Sequence, residues 1–137
     1  MNNIDQLHRP FVLISAYTKD CTESGNRITH EHLKRDLETE GFIFKEVEGC
    51  YKGRKELSLY VDCPDLDSFA ELHKIAQSFA QESVLCIDKH RKATLIYLND
   101  GTAQTLGKLK QVSKHEALQQ DNYTHDFTNN GYYVCEK

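Results

Sequence analysis

The sequence predicts an α+β fold: a ferredoxin-like βαββαβ antiparallel sheet with two helices on one face and extra C-terminal β structure. Three observations carry this. Between residues 11 and 98, apolar runs and alternating stretches follow the order strand, helix, strand, strand, helix, strand, which is the split βαβ pattern. The middle two strands are separated by a short turn around Gly53, as in a hairpin. Each helical segment carries its apolar residues at helical spacing, so both can cover one face of a sheet.

Phe11 to Thr18 is a continuous apolar run closed by polar residues and reads as a buried strand. Lys19 to Asn26 is rich in Asp, Ser, Gly and Asn and reads as a loop. Thr29 suits a helix N-cap, and Leu33, Leu37 and the stop at Gly41 outline a helix of about three turns. Phe42 to Glu48 gives the second strand, and the alternation of Leu57, Leu59 and Val61 with Ser58, Tyr60 and Asp62 gives the third. Pro64-Asp65 closes that strand and opens a helix whose Phe69, Leu72, Ile75, Ala76 and Phe79 share a face. Ser83 to Ile87 is the fourth strand. The basic turn Lys89-His90-Arg91-Lys92 leads to the fifth, Ala93 to Leu98. Beyond Ala103 the chain is polar, with isolated strand signals at Leu106–Leu109 and Tyr132–Val134.

An antiparallel sheet with both helices on one side leaves its other face bare. That face would carry Phe11 or Val12, Phe44, and Leu59 or Tyr60, depending on register. Burial against further copies of the chain is the natural remedy, so a homo-oligomer is expected, with ligand sites between subunits.

Composition narrows the function classes. The 137 residues, 39% hydrophobic and 28% charged, with two prolines, suit one globular domain spanning 1–137. No apolar run approaches the roughly 20 residues that span a bilayer, and Met1–Gln6 lacks signal-peptide features. Five cysteines without CxxC spacing indicate a reduced, cytoplasmic chain. A net charge of −4 disfavours nonspecific nucleic-acid binding and mildly favours a cationic ligand.

Several candidate motifs are set against a plainer reading. His30 and His32, two apart on a helix, diverge by roughly 200°, so a solvated helix face is preferred to a metal site. Cys50 and Cys63 flank the hairpin, but no neighbour is evident that would activate a thiol, and they read as structural. Neither GxxxxGK[ST] nor GxGxxG occurs, which argues against nucleoside triphosphate or dinucleotide binding. Lys52, Arg54 and Lys55 beside Tyr51 and Tyr60 could suggest RNA binding on a sheet, but no RNP-type aromatic motif accompanies them. Glu56, next to Lys55 and near Arg54, reads from the residues alone as a surface carboxylate paired with those bases.

A set of motifs gives some of these residues a different meaning. Val12-Leu13-Ile14-Ser15-Ala16-Tyr17 is followed by the His30/His32 pair, then Gly49-Cys50-Tyr51, then Glu56 seven residues before Cys63. Gln81–Leu85 and Leu95–Tyr97 complete the ordered series. The chain thereby resembles the phage-encoded S-adenosylmethionine lyases, formerly called hydrolases, from about Phe11 to Tyr97. The hairpin between Tyr51 and Glu56 is shorter than the family pattern. The resemblance implies that Tyr51 and Glu56 act catalytically, and that Ser15, Ala16, Tyr17, Gly49 and Cys50 bind S-adenosylmethionine. It further implies a homotrimer with sites between subunits, no metal, no organic cofactor, and products 5′-methylthioadenosine and homoserine lactone. The host cytoplasm would lose its methyl donor, which would counter restriction and modification. Two competing readings are a trimeric ferredoxin-like small-molecule binding module without turnover, and an acidic protein imitating DNA. The 21 acidic against 17 basic residues, without a dense acidic run, weigh against the latter.

Overall fold

The structure, a computed structural model, describes residues 9–137. Met1–Gln6, read above for signal-peptide features, lie outside the described residues. Eight strands and three helices follow in the order β1 (Phe11–Ile14), α1 (Glu23–Thr39), β2 (Phe44–Tyr51), β3 (Arg54–Asp62), α2 (Leu66–Ser78), β4 (Ser83–Ile87), β5 (Lys92–Tyr97), β6 (Ala103–Val112), α3 (Lys114–Ala117), β7 (Tyr123–Asp126) and β8 (Gly131–Glu136).

The expected open ferredoxin-like sheet is overturned. The strands form a closed antiparallel barrel in the order β1-β3-β2-β7-β8-β6-β5-β4. The first four strands do lie in the order β4-β1-β3-β2, with Ile14 opposite Leu59 and Val12 opposite Cys86. What the sequence reading missed is the return path. β8 pairs with both β6 and β7, and β7 pairs with β2, Gly49 facing Thr124. That last ladder removes both free edges, which an open sheet would expose to pairing with other chains.

Closure also answers the bare-face problem differently from the expectation. Side chains alternate across a strand, and the two faces of β1 and β3 enter separate cores. Val12, Ile14, Leu59 and Val61 pack with Leu33 and Leu37 of α1 and Leu72, Ile75 and Ala76 of α2 on the outside. Phe11, Leu13 and Tyr60 turn inward to meet Val47, Ile87, Ala93, Leu109 and Tyr133. Phe11 stacks on Tyr60 with ring centroids 4.2 Å apart. The face expected to be covered by other subunits is therefore filled by the chain's own β5, β6 and β8. Phe44, expected on that face, packs with the helix-side core instead. A third cluster, Cys50, Ala117, Tyr123, Tyr132 and Val134, lies beneath the short α3.

Local chemistry explains the element limits. β2 and β3 join through Lys52 and Gly53, with φ of 52° and 80°, the pair of positive values that a tight two-residue hairpin turn requires. α1 begins at Glu23 rather than at Thr29, because Thr22 caps it by accepting from the Gly25 N–H. His30 and His32 consequently sit in the middle of α1 rather than opening it. Asp65 caps α2 by accepting from the Ser68 N–H. Among the described residues, no helix is long and apolar enough to cross a membrane.

Candidate active site

After Ile14 the chain leaves the regular ladder but continues alongside β3. The Ser15 hydroxyl donates to the Leu57 carbonyl at 3.0 Å and accepts from the Tyr17 N–H at 3.0 Å. This side-chain bridge carries the segment one step beyond the strand and brings Tyr17 beside Glu56. Further side chains hold the segment, among them Thr29 of α1, whose hydroxyl lies 3.4 Å from the Ala16 carbonyl. Asn26 of α1 accepts from the Thr18 N–H at 3.0 Å and donates to the Thr18 carbonyl at 3.1 Å. Gln81, between α2 and β4, donates to the Tyr17 carbonyl at 3.1 Å.

An open depression of about 240 Å³ results, with Tyr17 and Thr18 on one side, Glu23 and Asn26 behind, and Arg54 and Glu56 opposite. Lys19 and Lys55 stand on its rim. The depression thus offers two carboxylates and three cations around one aromatic ring, so it presents partners for both signs of a zwitterionic ligand. A larger open groove of about 480 Å³, between the loop after α1 and the start of α2, contains none of the expected site residues.

Glu56 is partly buried, whereas Glu23, the other carboxylate of the depression, is exposed. Burial pushes the Glu56 pKa above the ordinary glutamate range, opposed by the Arg54 guanidinium and by a hydrogen bond with Ser15. Glu56, expected from the residues alone to sit on the surface, is thus partly buried, with Arg54 still its neighbouring cation. The Tyr17 hydroxyl is also held in its protonated form, by burial first and then by donating to Glu23 Oε1 at 3.1 Å.

The other residues singled out in the sequence divide. Gly49 lies directly opposite Glu56 in the β2–β3 ladder, and a Cβ there would come within 3.0 Å of the Ser58 hydroxyl. Tyr51 pairs with Arg54 two positions further along the hairpin and is half exposed; it does not line the depression. Ala16 points into the helix-side core, and Cys50 into the cluster beneath α3. Cys50 Sγ donates to the Asp121 carbonyl at 3.6 Å. Cys63 belongs to the helix-side core, so the two cysteines do not meet, and burial pushes the Cys63 thiol up to about 11.

His30 is buried in α1, and its Nε2 lies 2.8 Å from Glu46 Oε1, while its ring stands edge-on to Tyr17 at 6.1 Å. His32 is exposed. Among the described residues, no group of three or more His, Cys, Asp or Glu could hold a metal ion. Glu23, Thr18 and Asn26 were missed as site residues. Asn26 carried no usable signal, since its neighbours place it in a loop, where asparagine is ordinary.

Comparison with known proteins gives one positive result. No curated protein matches the chain. The family model of the S-Adenosylmethionine lyase family matches residues 12–136.

Proposed function

We propose that this chain, which belongs to the S-adenosylmethionine lyase family, cleaves S-adenosylmethionine to 5′-methylthioadenosine and L-homoserine lactone. The observation that carries the reading is the partly buried Glu56 beside Tyr17, at the mouth of a barrel and within a mixed-charge depression. The substrate presents a sulfonium, an ammonium and a carboxylate. Its own carboxylate attacks the Cγ carbon, the Cγ–S bond breaks, and the electron pair leaves with the sulfur as neutral methylthioadenosine. Nucleophile and leaving group belong to one molecule, so holding the right rotamer supplies much of the acceleration.

Opposite charges disappear in this transition state. A carboxylate about 4 Å from the sulfonium would hold the ground state by roughly 4 kcal/mol at an effective dielectric near 20. That attraction fades as the sulfur becomes neutral, so it would slow the reaction. Glu56 is better used on the ammonium, whose charge persists, with the methionyl chain bent toward closure. By the same reasoning Arg54 and Lys55 should not grip the substrate carboxylate, whose charge is also lost as the lactone forms; Tyr17 supplies a protonated ring against the chain. No metal or organic cofactor is required by this route.

The depression is small and open, whereas sites for ligands of this size enclose ~300–1,000 Å³ and bury most of the ligand. A second wall from a neighbouring copy in a homotrimer would complete it. Tyr51, on the exposed hairpin, would then act on a substrate held between subunits. In a cell, consumption of the methyl donor in the cytoplasm would starve restriction and modification enzymes, the role expected for a phage-encoded chain.

Incubation of purified protein with S-adenosylmethionine, with and without EDTA, followed by mass spectrometry, tests the reading. Methylthioadenosine and homoserine lactone are expected, with loss of both in Glu56→Gln. Reaction in ¹⁸O-water, analysed before the lactone opens, separates lactonisation from attack by water: label in the first-formed product would mean that Glu56 activates water. Unchanged substrate in all conditions, with binding retained, would favour the module without turnover.

A further inference from the structure

Tyr17 and Thr18 form one wall of the depression, yet their segment lies beyond the last paired residue of β1. Regular strand neighbours do not hold it. Side chains do so instead. Asn26 accepts from one backbone group of Thr18 and donates to the other, at 3.0 and 3.1 Å, as an adjacent strand would. Gln81 donates to the Tyr17 carbonyl at 3.1 Å from the opposite side. Asn26 is only 6% exposed, so water cannot easily replace its two bonds.

We propose that Asn26, with Gln81 as its counterpart, is a positioning residue that fixes Tyr17 against Glu56. This rests on the functional reading above for its substrate, but not for its geometry. The physical argument is one of substitution: an amide carries a donor and an acceptor in the same spacing as a peptide group. In satisfying both groups of Thr18 it leaves the segment a single placement. Ser15 then ties Tyr17 to β3, and Gln81 prevents the Tyr17 carbonyl from turning toward solvent. Loss of the Gln81 amide frees the Tyr17 carbonyl, and loss of the Asn26 amide frees the Thr18 N–H and leaves the Thr18 carbonyl with the 3.4 Å bond from the Cys21 N–H; the freed groups would move outward to find water. Tyr17 would follow, and Glu56 would become better hydrated.

That consequence separates positioning from mere stability. The charged and titratable groups around Glu56 are Arg54 and Lys55 on its own strand, Tyr17, Lys19 and Cys21 on the facing segment, and Glu23 and Arg27 on α1. Asn26→Ala and Gln81→Met change none of these charges. They do change the burial that raises the Glu56 pKa. In both variants, measured well below their melting temperatures, the titration of the ¹³C-labelled Glu56 carboxyl is expected to move down toward the ordinary glutamate range. KM for S-adenosylmethionine is expected to rise by about 10-fold or more, as misplacement of a binding wall produces.

The carboxyl titration needs no turnover, so it decides the positioning role even if the wild-type protein leaves S-adenosylmethionine intact. If Asn26→Ala does not fold, Gln81→Met carries the test. A folded variant with lowered melting temperature but with Glu56 titration and KM as in wild type would overturn the proposal.

Discussion

Glu56 shows how much one residue's meaning depends on its surroundings. Burial favours its neutral form, with Arg54 and Ser15 opposing. The folded protein therefore holds its proton more tightly than the unfolded chain. The resulting penalty is absent below the ordinary glutamate pKa, grows as pH rises toward the folded value, and is complete above it. Glu56→Gln should raise the melting temperature near pH 7 and change it little near pH 4, while removing activity. Thermal unfolding at the two pH values checks this; an equal shift at both would refute it. The acid limb of activity should lie above the ordinary glutamate range, because the ammonium-binding form of Glu56 is the ionised one. Glu46 runs the other way. Its burial would raise its pKa, but hydrogen bonds from His30 and Lys34 outweigh that and hold it low. Its contribution is present above the ordinary glutamate pKa and lost on acidification.

At the scale of elements, polar caps and tight contacts decide where helices and strands stop. Thr22 starts α1 seven residues before Thr29, and this places Glu23 and Asn26 in the depression rather than in a loop. Thr22→Ala should cost about 1 kcal/mol, measurable by urea unfolding, and should weaken substrate binding through the first turn of α1. A far larger effect is expected at Gly107. Its φ is +99°, and an added Cβ would lie 2.2 Å from the Glu136 backbone oxygen. Gly107→Ala should cost at least ~2 kcal/mol and loosen the β6–β8 ladder, visible as faster amide exchange in β8. Exchange unchanged in β8 would contradict the account. The same scale explains the missed strand. β7 is only Tyr123-Thr124-His125-Asp126, too short and too polar for alternation to mark it. Its inward anchor is polar: Asp126, wholly buried, pairs with Lys45 at 2.9 Å.

For the whole molecule, closure changes the argument about assembly. An open sheet would have needed other subunits to cover its second face. The barrel covers that face with Ala93, Leu109 and Tyr133, so core burial no longer calls for a partner. The proposed trimer now rests on the open depression around Glu56 alone. Multi-angle light scattering should give three times the chain mass, and dilution to a monomer should abolish turnover while leaving the fold intact by circular dichroism. Full activity in a monomer would place the complete site within one chain.

The sequence by itself determined the local units. Alternation and helical spacing placed β2 to β5 and α2 within a few residues, and the second half of α1 but not its start, because one-face burial leaves a periodic trace. An ordered set of short motifs pointed to the family and to Glu56. Tertiary structure alone decided the rest. The barrel depends on β7 meeting β2, a pairing made by backbone hydrogen bonds that any residue but proline can supply. The site depends on Asn26 and Gln81 reaching a segment 8 and 64 positions away. Such contacts leave no periodicity in the chain, since each is made once, by one side chain, across the fold.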